Sequence, residues 1–291
     1  MFALVGCVQP PLPEPPAPII GVAPVAQQPA LAPAYPSWDE VQTRQPMPLA
    51  EGDATPVPVN DNHGGLPLVG GASLHKTTVS TAGGSIDFEV VLFDSRQHTL
   101  KVIDQPQDFV GGGQITASMR QAGAIAGVNG GFFTPQFAPM GLMTADGRST
   151  GAWQANKLLT GAVVGGAKPQ LLWNAEARSR QSAAQFLQAG PRLVDAGKAV
   201  PSLERRKHTT RTFIATDGGQ RWLIGLARGT SLGELADALA SSEIVPGFRI
   251  QRALNLDGGR SSALYYRTVE GQEHSDPGWS TVRNYLGIVP R

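Results

Sequence analysis

Four short stretches carry side chains able to do chemistry. The run Asn255-Leu256-Asp257-Gly258-Gly259-Arg260-Ser261-Ser262 sets a carboxylate before two glycines, with a cation and two hydroxyls after them. Such a carboxylate can serve as nucleophile or base. Arg260, Ser261 and Ser262 can hold an anionic group beside it. The plainer reading is an Asp-Gly turn joining two hairpin strands. Asn129-Gly130-Gly131-Phe132-Phe133 follows a run of small residues. Paired glycines allow positive φ and close approach of a ligand. Freed N–H groups there would make an anion-binding nest, and Asn129 would donate to a sugar hydroxyl or a phosphate oxygen. Taken alone, this stretch is a tight turn with Phe132 and Phe133 in the core. Gly190-Pro191-Arg192 and His208-Thr209-Thr210-Arg211-Thr212 add two arginines and a histidine. The guanidinium fork suits phosphate, and His208 can exchange a proton near neutral pH. Singly, they fit a surface ion pair and a solvated basic loop, Arg205-Arg206-Lys207-His208, just as well.

Other chemistries find less support. Cys7 is the only cysteine, so the sequence offers no internal disulfide and no cysteine-based zinc site. His63, His75, His98, His208 and His274 show no i, i+4 metal pair. The expectation is no metal and no cofactor. A net charge of +1 gives no global field toward nucleic acid.

These groups need a scaffold to hold them. Alternating or continuous apolar runs predict strands over 86–93 and 99–103, the second as hairpin partner of the first. Further strands are expected at 124–128, 158–164, 171–173, 193–194, 212–216, 221–226, 250–256, 263–267 and 285–289. Residues 115–122 fit a short helix. Ser231-Leu232-Gly233-Glu234 has capping-box spacing, and apolar positions follow at helical intervals to Ser241. Strands outnumber helices and come partly in pairs. The fold class is therefore α+β: a single domain with a mixed or antiparallel sheet and few helices.

The chain has 291 residues with 35 glycines, 24 prolines and 16% charged residues, which suits a turn-rich, compact body. Fourteen of the prolines precede residue 61, and Glu14 is the only charged residue among the first 36. Such a segment reads as a Pro-rich, disordered tether over residues 8–74, with the folded domain at 75–291. Leu4-Val5-Gly6-Cys7 resembles a bacterial lipobox, where small residues admit a peptidase before the cysteine is acylated. Only six residues precede Cys7, so residues 1–7 are read as the remnant of a lipoprotein signal. The expectation is an exported protein of the envelope or periplasm, held to a membrane through lipidated Cys7.

Taken together and in order, the segments become more specific. Gly-Val-Asn-Gly-Gly-Phe-Phe at 127–133, Met-Gly-Leu at 140–142, Ala-Gly-Pro-Arg at 189–192, Arg-Thr at 211–212 and Asn-Leu-Asp-Gly-Gly-x-Ser-Ser at 255–262 resemble the phosphodiester glycosidase family. The resemblance spans about residues 75–291. It implies a hydrolase of the glycosyl–phosphate bond, acting on a sugar-1-phosphodiester or a phosphorylated glycan. Bacterial members are exopolysaccharide-related. The family's polar positions fall here on Asn129, Arg192, Arg211, Asn255, Asp257 and Ser261. Asp257, Asn129 and Arg211 would be catalytic. Arg192, Asn255, Gly130, Gly131, Gly258, Gly259, Arg260, Ser261 and His208 would bind substrate. Two positions depart from the pattern. Arg260 stands where many relatives carry a third glycine, and His208 is separated from Arg211 by two threonines.

The chemistry is coherent with this inventory. Ordinary glycosidases use two carboxyl groups, one to protonate a poor leaving group. A phosphate leaving group needs little protonation, so one carboxylate and a few cations can suffice. Asp146 and Glu204 are the candidates for a second carboxyl. Trp153, Trp173, Trp222 and Trp279 are candidates for stacking on a sugar or for packing. Two alternatives stand beside the hydrolase: a non-catalytic envelope lipoprotein that binds glycan, and a metal-dependent phosphodiesterase cutting P–O bonds.

Overall fold

The computed structural model describes residues 57–59, 64–105 and 115–291. Cys7 and residues 8–56 of the expected tether lie outside them. Every strand pairing among the described residues is antiparallel, in agreement with an α+β body rich in strands.

The largest sheet has nine strands. Its centre runs in the order Ser73–Thr81, Gly84–Asp94, Arg221–Thr230, Thr209–Thr216, Arg252–Asn255 and Arg192–Asp195. A second sheet pairs Gly161–Val164 with Gln170–Trp173 and with Phe186–Ala189. A third places Ala126–Asn129 between Leu264–Arg267 and Asn284–Pro290, with His98–Asp104 at one edge.

The three sheets share one apolar core. Ile224, Leu226 and Leu254 of the large sheet meet Val163 and Leu187 of the second and Val128 and Leu286 of the third. The large sheet is buried on its other face too. Phe213, Leu223 and Ala253 pack there against Leu235, Ala236 and Leu239 of the helix Leu232–Ser241. Burial on both faces explains why Trp222-Leu223-Ile224-Gly225-Leu226 reads as a continuous apolar run rather than an alternation. The helix Ile115–Ala122 covers the third sheet through Ile115 and Met119, which meet Tyr265 and Tyr285.

Two expectations need correction. Residues 99–103 do not form a hairpin with 86–93. Gly84–Asp94 lies between Ser73–Thr81 and Arg221–Thr230, whereas His98–Asp104 pairs with Asn284–Pro290 in the third sheet. The Asp94–Gln97 turn hands the chain from one sheet to another, and local spacing carries no sign of that transfer. The folded body also begins upstream of residue 75. Leu68 and Ala72 are buried, Leu66–Pro67 pairs with Ser73 and Leu74, and Val57–Val59 pairs with residues 78–80.

The helix expected from Ser231 forms as the spacing implies. The Ser231 hydroxyl accepts the Glu234 N–H, and the Glu234 carboxylate accepts the Ser231 N–H. Ser231→Ala should cost about 1 kcal/mol, read as a lower urea midpoint at unchanged slope. An unchanged midpoint would show that the cap contributes nothing.

Candidate active site

Asp257 does not sit in a hairpin turn. The strand before it, Arg252–Asn255, belongs to the large sheet, and the strand after it, Leu264–Arg267, belongs to the third. The Asp-Gly-Gly segment is where the chain crosses between sheets, so its geometry is fixed from both sides.

Asn129 provides much of that fixing. It is the last residue of Ala126–Asn129 and is 0% exposed. Its Nδ2 donates to the Asp257 carbonyl at 2.7 Å. Its Oδ1 accepts the Thr212 hydroxyl at 2.8 Å and the Ala263 N–H at 3.0 Å. The Asp257 N–H donates in turn to the Gly130 carbonyl at 2.9 Å. One carboxamide thus ties the Asp257 crossing to both sheets. Its Oδ1 and one of its two Nδ2 hydrogens are engaged inside the protein, so Asn129 positions the Asp257 backbone.

The Gly130-Gly131 nest is not found. Gly130 N–H donates to the Asn284 carbonyl at 2.9 Å, and Gly131 N–H to Asn284 Oδ1 at 2.7 Å. Neither glycine has positive φ. Glycine is needed at 130 because a Cβ would overlap the Asn284 carboxamide. Asn255 is likewise buried. Its Nδ2 donates to the carbonyls of Gly190 and Leu256, and its N–H to that of Pro191. It locks the strand end before Asp257 to the Gly190-Pro191 segment.

Asp257 is partly buried. Oδ1 accepts the Gly258 N–H at 2.9 Å, and the Ser261 hydroxyl also bonds the carboxylate. Burial raises its pKa to about 6; the Ser261 and Gly258 hydrogen bonds and the charge of Lys207 pull the other way but are outweighed. Gly259 is the glycine that needs the left-handed region, with φ of 64°, and it opens a single turn of 3-10 helix through Ser261.

Arg211 stands beside this loop, since a Cβ on Gly258 would lie 3.7 Å from Arg211 Cα. It is only 8% exposed. Its guanidinium donates to the carbonyls of Thr230 and Lys207 and faces Glu204 at 3.5 Å. Burial lowers its pKa. Glu204 also accepts the N–H groups of Arg206 and Lys207, so it shapes the 204–207 loop that brings the Lys207 charge to Asp257. His208 instead pairs with Glu234 at 2.7 Å, at the start of the helix.

Two expected members face elsewhere. Arg192 meets Asp195 at 3.3 Å and lies over the Trp173 ring at 5.4 Å. It lines a cavity of about 200 Å³ with Lys157, Thr160 and Ser202, and neither Asp257 nor Arg211 lines that cavity. The pairing of this strand with Arg252–Asn255 is irregular between Arg192 and Val194. Asp146 bonds Gln185 and Lys101 in the 143–150 region, so it offers no second carboxyl to Asp257. Among the described residues, no cluster of three or more His, Cys, Asp or Glu is placed to hold a metal. Sequence reasoning missed Asn284 and Gln188. Asn284 caps the two glycines. Gln188 is buried, accepts the Leu142 N–H and packs beside Gly141, which gives Met-Gly-Leu its structural role. Neither residue lies in a motif of its own.

The sequence model of the phosphodiester glycosidase family matches residues 122–289. No curated protein matches the chain by sequence. Solved structures share the fold, two of them as follows. One is a hypothetical protein from Synechocystis, at 16% identity and TM-score 0.53, covering 76% of this chain and 62% of that one. This chain therefore spans less than two thirds of that protein's length. The other is the zebrafish N-acetylglucosamine-1-phosphodiester alpha-N-acetylglucosaminidase catalytic domain, auto-inhibited by its pro-peptide. It matches at 13% identity and TM-score 0.55, covering 84% of this chain and 91% of that one. Likenesses at these identities concern the fold alone.

A buried carboxylate is costly, and its sign with pH is fixed. The folded chain binds the Asp257 proton more tightly than the unfolded chain between pH 3.8 and about 6. The cost is therefore absent below 3.8, grows through that window, and stays at about 3 kcal/mol above it. Asp257→Asn should be more stable than the native protein at pH 7.5 by about 2 kcal/mol, after the loss of one acceptor bond. The gain should vanish near pH 4. Urea unfolding at both pH values checks this, and a variant less stable at pH 7.5 would contradict it.

Proposed function

The chain belongs to the phosphodiester glycosidase family, and we propose that it hydrolyses the bond between the anomeric carbon of a sugar and a phosphodiester. The observation that carries this reading is Asp257, a carboxylate held at a sheet junction with its pKa raised to about 6. At neutral pH it is ionised, yet more basic than an ordinary aspartate. It is suited to attack the anomeric carbon or to take a proton from the attacking water. In the overall reaction the C1–O bond breaks, water supplies the hydroxyl at C1, and the aglycone leaves as its phosphomonoester. That leaving group is weakly basic, so a second carboxyl acid is not required. The charge of Lys207 acts on Asp257 and exposed Arg260 follows three residues after it, which favours an anionic diester.

Purified protein should release free reducing sugar from a UDP-sugar or a sugar-1-phosphodiester. Its rate should fall about ten-fold per unit below pH 6, since both roles need the carboxylate ionised. Asp257→Asn should lower turnover by about 10²–10⁴-fold with an unchanged circular dichroism spectrum. Release of sugar 1-phosphate instead would mean P–O cleavage. Full turnover by the variant would remove Asp257 from the reaction.

We also propose that the protein works in the bacterial envelope on a phosphorylated, exopolysaccharide-type glycan, tethered through Cys7. Supporting this are the lipobox-like Leu4-Val5-Gly6-Cys7 and the proline-rich stretch after it. Expressed with a complete lipoprotein signal in a bacterium fed an alkyne fatty acid, the chain should carry the label. Cys7→Ser should lose it, and label retained by that variant would exclude Cys7 as the anchor.

A further inference from the structure

Arg192 lies outside the Asp257 site, and the cavity it lines has a composition of its own. That cavity measures about 200 Å³, and its walls include Lys157, Thr160, Pro191, Arg192, Ser202 and Leu203. No aspartate or glutamate lines it.

The two cations are presented differently. Arg192 lies over the Trp173 ring at 5.4 Å, and its Nη1 donates to Asp195 at 3.3 Å. Asp195 also accepts the Trp173 indole N–H at 2.8 Å. Ring and carboxylate together orient the guanidinium plane, and its other N–H groups have no partner among the described residues. The second arginine over Trp173, Arg252, is matched by Glu176 at 2.7 Å. Lys157 has no such match. It is exposed, and its ammonium makes no hydrogen bond or ion pair among the described residues. It is the local charge in excess.

Two hydroxyls join these cations. Thr160 Oγ1 accepts the Arg192 backbone N–H at 2.8 Å. A hydroxyl that accepts one bond still has its own proton to donate, and no acceptor takes it among the described residues. The Ser202 side chain likewise has no partner there. Ser202 holds φ of 63°, a backbone region disfavoured for a residue with a Cβ. Such strain collects at ligand clamps. An exposed lysine alone is an ordinary solvated charge. Here it shares one hollow with three further donors and no acidic side chain.

We propose that this cavity is a second binding site, separate from Asp257, for a phosphomonoester carried on a small carbon body such as a polyol. The cations and hydroxyls would take the phosphate oxygens through charge-assisted bonds. One water needs about 10–15 Å³ of such space, so the hollow exceeds a bare phosphate. Pro191 and Leu203 offer apolar wall to the remainder of the ligand. Binding here needs no chemistry at Asp257, so the site stands or falls apart from the hydrolase reading.

The test is a titration of the purified protein with glycerol phosphate, followed by ³¹P line width. Saturable binding in the millimolar range or tighter is expected. Inorganic phosphate should compete more weakly, and glycerol should not compete. Lys157→Gln, at an exposed position, should weaken binding about ten-fold through loss of one charge-assisted bond. Lys157→Arg should keep most of the affinity, and Asp257→Asn should leave it unchanged. No saturable binding would overturn the site, as would full affinity in Lys157→Gln. Affinity lost in Asp257→Asn would put the ligand at the Asp257 turn and overturn it as well. Inorganic phosphate binding as tightly as glycerol phosphate would overturn the carbon-bearing ligand.

Discussion

The side-chain amide of Asn129 is the contact on which the site depends. It lies where the ends of two sheets meet and spends its hydrogen bonds on Asp257, Thr212 and Ala263. An unpaired amide at that depth would be costly, by about 1–3 kcal/mol for each group left unmatched. The junction therefore closes in one arrangement, and that arrangement sets the Asp257 backbone. Asn255 through its Nδ2 and Asn284 through its Oδ1 clamp the Gly190-Pro191 segment and the Gly130-Gly131 segment. Three buried asparagines hold one carboxylate in place.

This scaffold sustains a group that opposes folding. Asp257 is ionised at neutral pH although burial resists its charge. The large shared core, with sheets packed on both faces, supplies the stability that makes such a group tolerable. The polar groups nearest it, Gly258 N–H and the Ser261 hydroxyl, orient the carboxylate without cancelling its raised basicity. Arg211 belongs to the wall of the site. Its contacts with Glu204 and the Lys207 carbonyl shape the loop that brings a second cation near.

Much of this was legible in the sequence, and the illegible part has a common cause. The capping box at Ser231 is a local signal, and its helix ends at Ser241 as expected. The helix Ile115–Ala122 and the strands around 212–216 and 221–226 are local patterns as well. Which strand pairs with which is not local. Residues 99–103 looked like a partner for 86–93 by proximity, but they pair with the last strand of the chain. The Asp-Gly-Gly run looked like a hairpin for the same reason. At the site, motif order identified Asp257 and Asn129 but not the difference between a group that faces substrate and one that is consumed in holding the fold. Arg192 shows that limit, since it meets Trp173 and Asp195 instead. Asn284 and Gln188 carried no signal because neither lies in a recognisable motif.

The central claim is that this junction keeps a buried, basic carboxylate at Asp257. The most direct measurement is the pKa of that side chain, by ¹³C NMR titration of the carboxyl resonance identified by its loss in Asp257→Asn. A midpoint near pH 6 is the result expected from its burial. A midpoint near 4, the ordinary range for a solvated aspartate, would contradict the account.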